Sequence, residues 1–153
     1  MRAALAALAL MLMLGPTAAG ADPSESAIAP RRQPVATPSA ESEYDRGVRA
    51  RVAKDWTTAE ASFRRAIAMR PGFAEAWNEL GFALRNQGRY PESLAAYDEA
   101  LKLRPNFPEA LEYLGEAYVK LGRVDDARRV LDRLRPLDPG RARELAEVIE
   151  TAR

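Results

Sequence analysis

The sequence predicts an all-α fold, an α-solenoid of stacked antiparallel helical hairpins, from three observations. Gly47, Gly81 and Gly115 stand 34 residues apart, and so do Pro71, Pro105 and Pro139. Two ladders of conformationally special residues with one shared period mark a structural unit repeated along the chain. Between the ladders the blocks superimpose, Phe73-Ala74-Glu75-Ala76-Trp77 on Phe107-Pro108-Glu109-Ala110-Leu111 and Leu80-Gly81 on Leu114-Gly115. Inside the middle block Trp77, Leu80, Gly81 and Leu84 fall at i, i+3, i+4 and i+7, one stripe of a helix.

In chain order, residues 1–21 read as a secretory signal: Arg2 is positive, Ala3 to Leu14 is an unbroken apolar run, and Ala19-Gly20-Ala21 offers small residues for cleavage. Cleavage is expected after Ala21, with Ala19 as the alternative. The apolar run rises only about 18 Å as a helix, too short for a hydrocarbon core of about 30 Å. The mature chain is therefore expected to be soluble outside the cytoplasm, with no membrane span. Residues 22–41 read as a Pro/Ser-rich linker, with Pro23, Pro30, Pro34 and Pro38 among serines and alanines. Only Ile28 and Val35 are strongly apolar there, so little burial offsets the entropy of ordering. A docking role for Arg31-Arg32-Gln33-Pro34 is the alternative.

The repeats are expected over residues 42–139, in units 40–73, 74–107 and 108–139. In the middle unit Gly88 stops the first helix, because glycine takes the left-handed C-cap conformation without steric cost. Pro91 suits the first turn of a second helix, whose buried face is Leu94, Tyr97, Ala100 and Leu101. Each of Gly47, Gly81 and Gly115 precedes a small residue by twelve positions, Ala59, Ser93 and Ala127, which predicts close helix packing at those pairs. In the first unit Lys54 stands where Gly88 and Gly122 cap the others, so Lys54 is expected in the left-handed region. Residues 140–153 read as a capping helix: Asp138 is its N-cap, Pro139 its first residue, and Ala142, Leu145, Val148 and Ile149 its apolar side.

Composition excludes several function classes. There are 23 basic and 22 acidic residues, and residues 1–21 contain only Arg2 among them, so the remainder is neutral. A nucleic-acid or anionic-membrane role loses its electrostatic footprint. The chain has no histidine and no cysteine, which removes the commonest bases, nucleophiles and metal ligands, and no phosphate-binding or nucleophile-elbow motif is present. No cofactor is expected, and the chain does not read as an enzyme. Asp125-Asp126 reads as a helix start rather than an acid–base pair.

Trp77, Leu80, Gly81, Gly88, Tyr90, Tyr97, Ala100 and Pro105 resemble the signature of the tetratricopeptide repeat (TPR), over about Ala40 to Pro139. The third unit keeps Leu111, Leu114, Gly115, Tyr118, Gly122, Ala127 and Pro139. The first is the most divergent, with Glu43 and Arg46 at positions usually apolar. The resemblance implies a right-handed superhelix and a non-catalytic adaptor or scaffold that binds other proteins on a concave groove lined by the first helix of each hairpin.

On that alignment the groove carries Glu41, Tyr44, Val48, Arg51 and Val52 in the first unit, Glu75, Asn78, Phe82, Arg85 and Asn86 in the second, and Glu109, Glu112, Glu116, Val119 and Lys120 in the third. Tyr44, Val48, Asn78, Phe82, Arg85, Glu109, Glu112, Glu116 and Lys120 are the candidate partner-binding residues. The groove reads as apolar at one end and acidic at the other, with Phe82 exposed off the packed stripe. The competing reading has Phe82 packed on a neighbouring helix and the acids as a solvated face. A chaperone-tail clamp of this family needs Lys, Asn and Lys where Tyr44, Val48 and Glu109 stand, so a C-terminal carboxylate should be repelled there. The expected partner is another protein of a bacterial cell envelope, in the periplasm, offering an extended or helical segment with apolar and basic residues. Self-association into a homo-oligomeric structural module is the alternative.

Overall fold

The computed structural model describes residues 37–152, so the predicted signal at 1–21 and most of the 22–41 linker lie outside the described residues. Among them the chain is all-helical: α1 Ala40–Val52, α2 Trp56–Met69, α3 Ala74–Asn86, α4 Tyr90–Leu103, α5 Pro108–Lys120, α6 Val124–Leu134 and α7 Pro139–Thr151. The expected hairpins are present as α1–α2, α3–α4 and α5–α6, each packed on the next, and α7 packs against both α5 and α6. No helix among the described residues is long and apolar enough to cross a membrane.

α1 begins at Ala40, inside the segment read as linker. Ser39 and Ser42 form a reciprocal capping box, in which the Ser42 amide donates to Ser39 Oγ at 3.1 Å and the Ser39 amide to Ser42 Oγ at 2.8 Å. Ala40 then packs with Ala66, Phe73 and Ala76, burial that secures the first turn.

The turns inside the three hairpins share one hydrogen-bond pattern. Gly88 N–H donates to Arg85 O and Arg89 N–H to Leu84 O, a Schellman motif, with Gly88 at φ +76°. Gly122 and Arg123 repeat it on Val119 and Tyr118, with Gly122 at φ +71°. Lys54 and Asp55 repeat it on Arg51 and Ala50, and Lys54 takes φ +58°, as the alignment predicts. Asp55 then caps α2 by accepting from the Thr58 amide at 3.1 Å.

The glycine ladder contacts a partner other than the predicted one. A Cβ on Gly47 would lie 2.5 Å from the Phe63 ring, and one on Gly81 would lie 2.6 Å from the Tyr97 ring. The close approach is helix backbone to aromatic face, sixteen residues on, because a helix turn separates that face from Ala59 and Ser93. At Gly115 the intruder is Leu145 of α7, at 2.5 Å. The same notch that receives a ring in the first two hairpins thus receives the capping helix in the third.

The Pro ladder belongs to a junction the sequence pattern did not reveal. Glu41 pairs with Arg70 and Glu75 with Arg104, while Arg70 lies 3.6 Å from the Phe73 ring centroid and Arg104 4.6 Å from that of Phe107. The set repeats at the 34-residue period. In the third hairpin the corresponding positions hold Asp138 and Arg141 instead. Asp138 accepts from the Gly140 and Arg141 amides at 3.0 and 3.1 Å as the N-cap of α7, and Arg141 turns back toward α5. The expected cap at 140–153 is therefore a helix from Pro139 to Thr151, fixed by Leu145, Ala142 and Ile149 in the core.

Candidate functional site

α1, α3 and α5 lie side by side and bring the candidate residues to one face, because each presents the side of its helix opposite the packed stripe. The residues on this face differ in exposure and pairing from what their types suggest. Tyr44 is half-buried, 5.7 Å from the Phe63 ring and 4.8 Å from the Phe73 ring. Burial, aided by nearby Glu79 and Glu75, pushes its phenol up from the ordinary value. Val48 is half-buried against the cluster of Phe63, Leu80 and Leu84. Val52 is open to solvent, 74% exposed.

Phe82 is half-buried, so the competing reading holds for this ring. It meets Trp56 of α2 edge-on at 5.9 Å and Tyr113 of α5 at 5.1 Å. The Arg51 and Arg85 guanidinium carbons lie 5.7 and 5.1 Å from the Phe82 centroid, and Arg85 is also 5.1 Å from Tyr113. The cations are attracted to the negative ring faces. An aromatic and guanidinium column thus crosses the face from α1 to α5. Trp56 and Tyr113 are not among the candidates: Trp56 opens a second helix, α2, and Tyr113 stands where the first two hairpins carry Asp45 and Glu79. The 34-residue ladder carries no signal for a contact between adjacent hairpins.

Asn78 is 3% exposed, and its Oδ1 has no hydrogen-bond partner. An unmade bond to a buried acceptor costs ~1–3 kcal/mol. Tyr97 OH, fully buried with its ring 6.2 Å from that of Tyr113, is unpartnered too, and burial holds this phenol protonated far above its ordinary range. Trp77 is core on one side and donates its indole N–H to Pro71 O at 2.9 Å on the other.

The acidic end is not a free acidic end. Arg141 of α7 pairs with Glu109 at 3.0 Å and with Glu112, and Arg85 pairs with Glu116. Glu112 is 4% exposed, and burial pushes its carboxyl up, with Arg141 opposing and Glu144 adding to the shift. Glu79, beside Arg51 at 3.1 Å, is likewise pushed up by burial against the pull of that guanidinium. Taken alone α5 reads as an acidic surface, because Arg141 lies 32 residues after Glu109, beyond the last repeat. The carboxylates are therefore neither free for a basic partner nor simply solvated. Lys120 is exposed and, among the described residues, has no carboxylate partner. With Arg85, Asn86, Tyr90 and Glu116 it lines a cavity of about 330 Å³.

The tetratricopeptide repeat family model matches residues 44–106 and again residues 83–142. No curated protein matches the chain significantly. The TPR2B domain of yeast Sti1, solved in complex with pHsp70, is similar over 74% of this chain and 94% of that one, with a TM-score of 0.70 and 24% identity. The first TPR of Spaghetti (RPAP3), bound to an HSP90 peptide, covers 73% of this chain and 91% of its own at a TM-score of 0.69 and 16% identity. MamA is 26% identical over 69% of this chain and 61% of its own, with a TM-score of 0.63. The hairpins, the shared capping turns and a family match reaching from Tyr44 to Ala142 agree: the chain belongs to the tetratricopeptide repeat family.

Proposed function

We propose that this chain is a non-catalytic adaptor of a bacterial cell envelope, which holds an extended or helical segment of another protein against the face of α1, α3 and α5. The observation that carries the reading is the column of Trp56, Phe82 and Tyr113 with Arg51 and Arg85, half-exposed on that face. Half-buried aromatic and arginine side chains are the residue types that dominate binding energy at protein interfaces. The neighbours that hold peptides, Sti1 TPR2B and the RPAP3 domain, lend the mode of action by analogy of fold.

The column offers an apolar and stacking surface to the partner. Because Arg141 and Arg85 already pair with Glu109, Glu112 and Glu116, a basic partner residue would have to compete with an internal guanidinium, and the apolar component of the expected partner is the one this face favours. Tyr44 and Val48, both packed on the Phe63 cluster, put no cation at those two positions of α1, and Glu109 puts a carboxylate at the start of α5. The periplasmic setting rests on the apolar run Ala3 to Leu14 followed by Ala19-Gly20-Ala21. N-terminal sequencing of the exported protein checks it: a start at Asp22 or Gly20 supports export, and a retained Met1 overturns it.

Site-specific photo-crosslinking in cells tests the binding face. A photoreactive residue at Val48, Asn86 or Lys120 should capture the same partner, whereas one at Arg64 or Arg128, exposed on second helices, should not. Equal capture from both sets would overturn the assignment of the face. Adducts only between copies of this chain would replace the adaptor reading with self-association.

A further inference from the structure

The face of α1, α3 and α5 is rich in charge, yet almost every charge on it is answered within the chain. Glu41, Glu75, Glu79, Glu109, Glu112 and Glu116 pair with Arg70, Arg104, Arg51, Arg141 and Arg85. Of the cations there, Arg51, Arg85 and Arg141 have carboxylate partners, and Lys120 alone has none among the described residues. Arg141 answers two carboxylates, so the side-chain charges on the face balance once Lys120 is counted, and Lys120 is the charge left without a contact partner. It sits at the last turn of α5, at the mouth of the cavity that Lys120 shares with Arg85, Asn86, Tyr90 and Glu116.

We propose that this cavity is a subsite for a single carboxylate of the segment bound on the face, from an Asp or Glu side chain or from a chain end. The proposal rests on the binding face assigned above and names the chemistry of one position in its ligand. Lys120 supplies the charge, and the Tyr90 hydroxyl and the guanidinium N–H groups of Arg85 not used by Glu116 supply donors. Asn86 donates one amide N–H to Phe82 O at 2.8 Å, which leaves its second N–H as a further donor. Glu116 sets the selectivity. With Arg85 already neutralised, the cavity carries a net single positive charge, which one carboxylate balances and a doubly charged phosphoryl group exceeds. The subsite lies at the C-terminal ends of α3 and α5, away from Tyr44 and Val48 and at the far end of α5 from Glu109.

The test is an NMR titration of the isotope-labelled chain at neutral pH with four small probes. These are N-acetylglutamate N-methylamide for a side-chain carboxylate, N-acetylalanine for a chain end, N-acetylglutamine N-methylamide as the neutral control, and inorganic phosphate. The expected result is saturable shifts at Asn86, Tyr90, Lys120 and the Arg85 Nε with one or both carboxylates, and none with the glutamine probe. Which carboxylate binds more tightly identifies its source in the ligand. Lys120→Gln should weaken binding roughly three- to fivefold, the size expected for one exposed charge pair, and Lys120→Glu should abolish it. Lys120 is solvent-exposed, so both variants should keep the parent thermal midpoint. Equal response to the glutamine probe, undiminished binding in Lys120→Gln, or phosphate binding tighter than either carboxylate would each overturn the proposal. If Lys120→Glu still crosslinks its partner from Val48 as the parent does, while the carboxylate probes produce no shift, the subsite fails and the binding face stands.

Discussion

Lys54 holds φ +58° at a turn where its two counterparts are glycines. A Cβ in that region crowds the following carbonyl by roughly 1–2 kcal/mol, a cost that the two Schellman hydrogen bonds to Arg51 and Ala50 hold in place. Lys54→Gly should remove the crowding, partly offset by the larger entropy glycine loses on folding. The net expectation is a stabilisation of about 0.5–1 kcal/mol with unchanged m-value in urea. A loss of stability would contradict it. This turn was legible in the sequence because the 34-residue ladder assigns Lys54 a position whose other occupants are glycine. The exposure of Phe82 was not, because one helix stripe says which residues leave the core of their own hairpin, not what the next hairpin places over them. Phe82→Ala should therefore cost ~1–2 kcal/mol, lowering the thermal midpoint by several degrees through lost contact with Trp56 and Tyr113. Phe82→Leu should recover most of it. A midpoint unchanged in Phe82→Ala would show that the ring packs on nothing.

At the scale of elements, α7 is held to α5 by Leu145 in the Gly115 notch and by the ion pairs of a single side chain, Arg141. Arg141 reaches Glu109, Glu112 and, at 3.5 Å, Asp138. Arg141→Ala leaves Glu112 nearly buried with Glu144 close by and no cation, and removing one partner of a buried pair is costly; Arg141 is partly exposed, which trims the expected loss to about 2 kcal/mol at neutral pH. The pH dependence has a definite sign. The Glu112 carboxyl is already held above its ordinary value by burial, and losing Arg141 raises it further. A raised folded-state value makes stability greatest below the unfolded carboxylate range and lower as pH rises through the folded one. The deficit of Arg141→Ala should accordingly shrink as pH falls toward about 4, near the ordinary carboxylate value, as Glu112 takes up a proton. A deficit that grows on acidification would exclude Glu112 as its cause. The helix itself was readable from Asp138, Pro139 and the spacing of Ala142, Leu145 and Ile149, but its ion pairs were not. Arg141 lies past the last repeat, where no neighbouring unit offers a template for its partner.

For the whole molecule, the fold is written redundantly and the binding face is not. Periodic glycines, prolines and aromatic residues each specify the hairpins, so an atypical residue such as Glu43 does not obscure them; Glu43 is buried but answered by Arg65 at 2.7 Å. The face depends on pairs such as Arg85 with Glu116 and Arg51 with Glu79, formed between hairpins. Counting charges along one helix therefore misses the guanidiniums that other helices bring to the carboxylates of α5.

The Glu, Arg and Phe junction that links successive hairpins has a consequence for how the array measures its own length. A chain assembled from interchangeable links could be extended by copying the middle one, and nothing in Glu75, Arg104 and Phe107 forbids it. After the third hairpin the link is rewritten: the arginine becomes Asp138, which starts a helix, and the phenylalanine becomes Arg141, which folds back on α5 instead of receiving another unit. Gly115, with Leu145 in its notch, closes the same boundary from the other side. The boundary after the third hairpin is thus a punctuation mark spelled in two residues, and repeating the same link there would require changing Asp138 and Arg141.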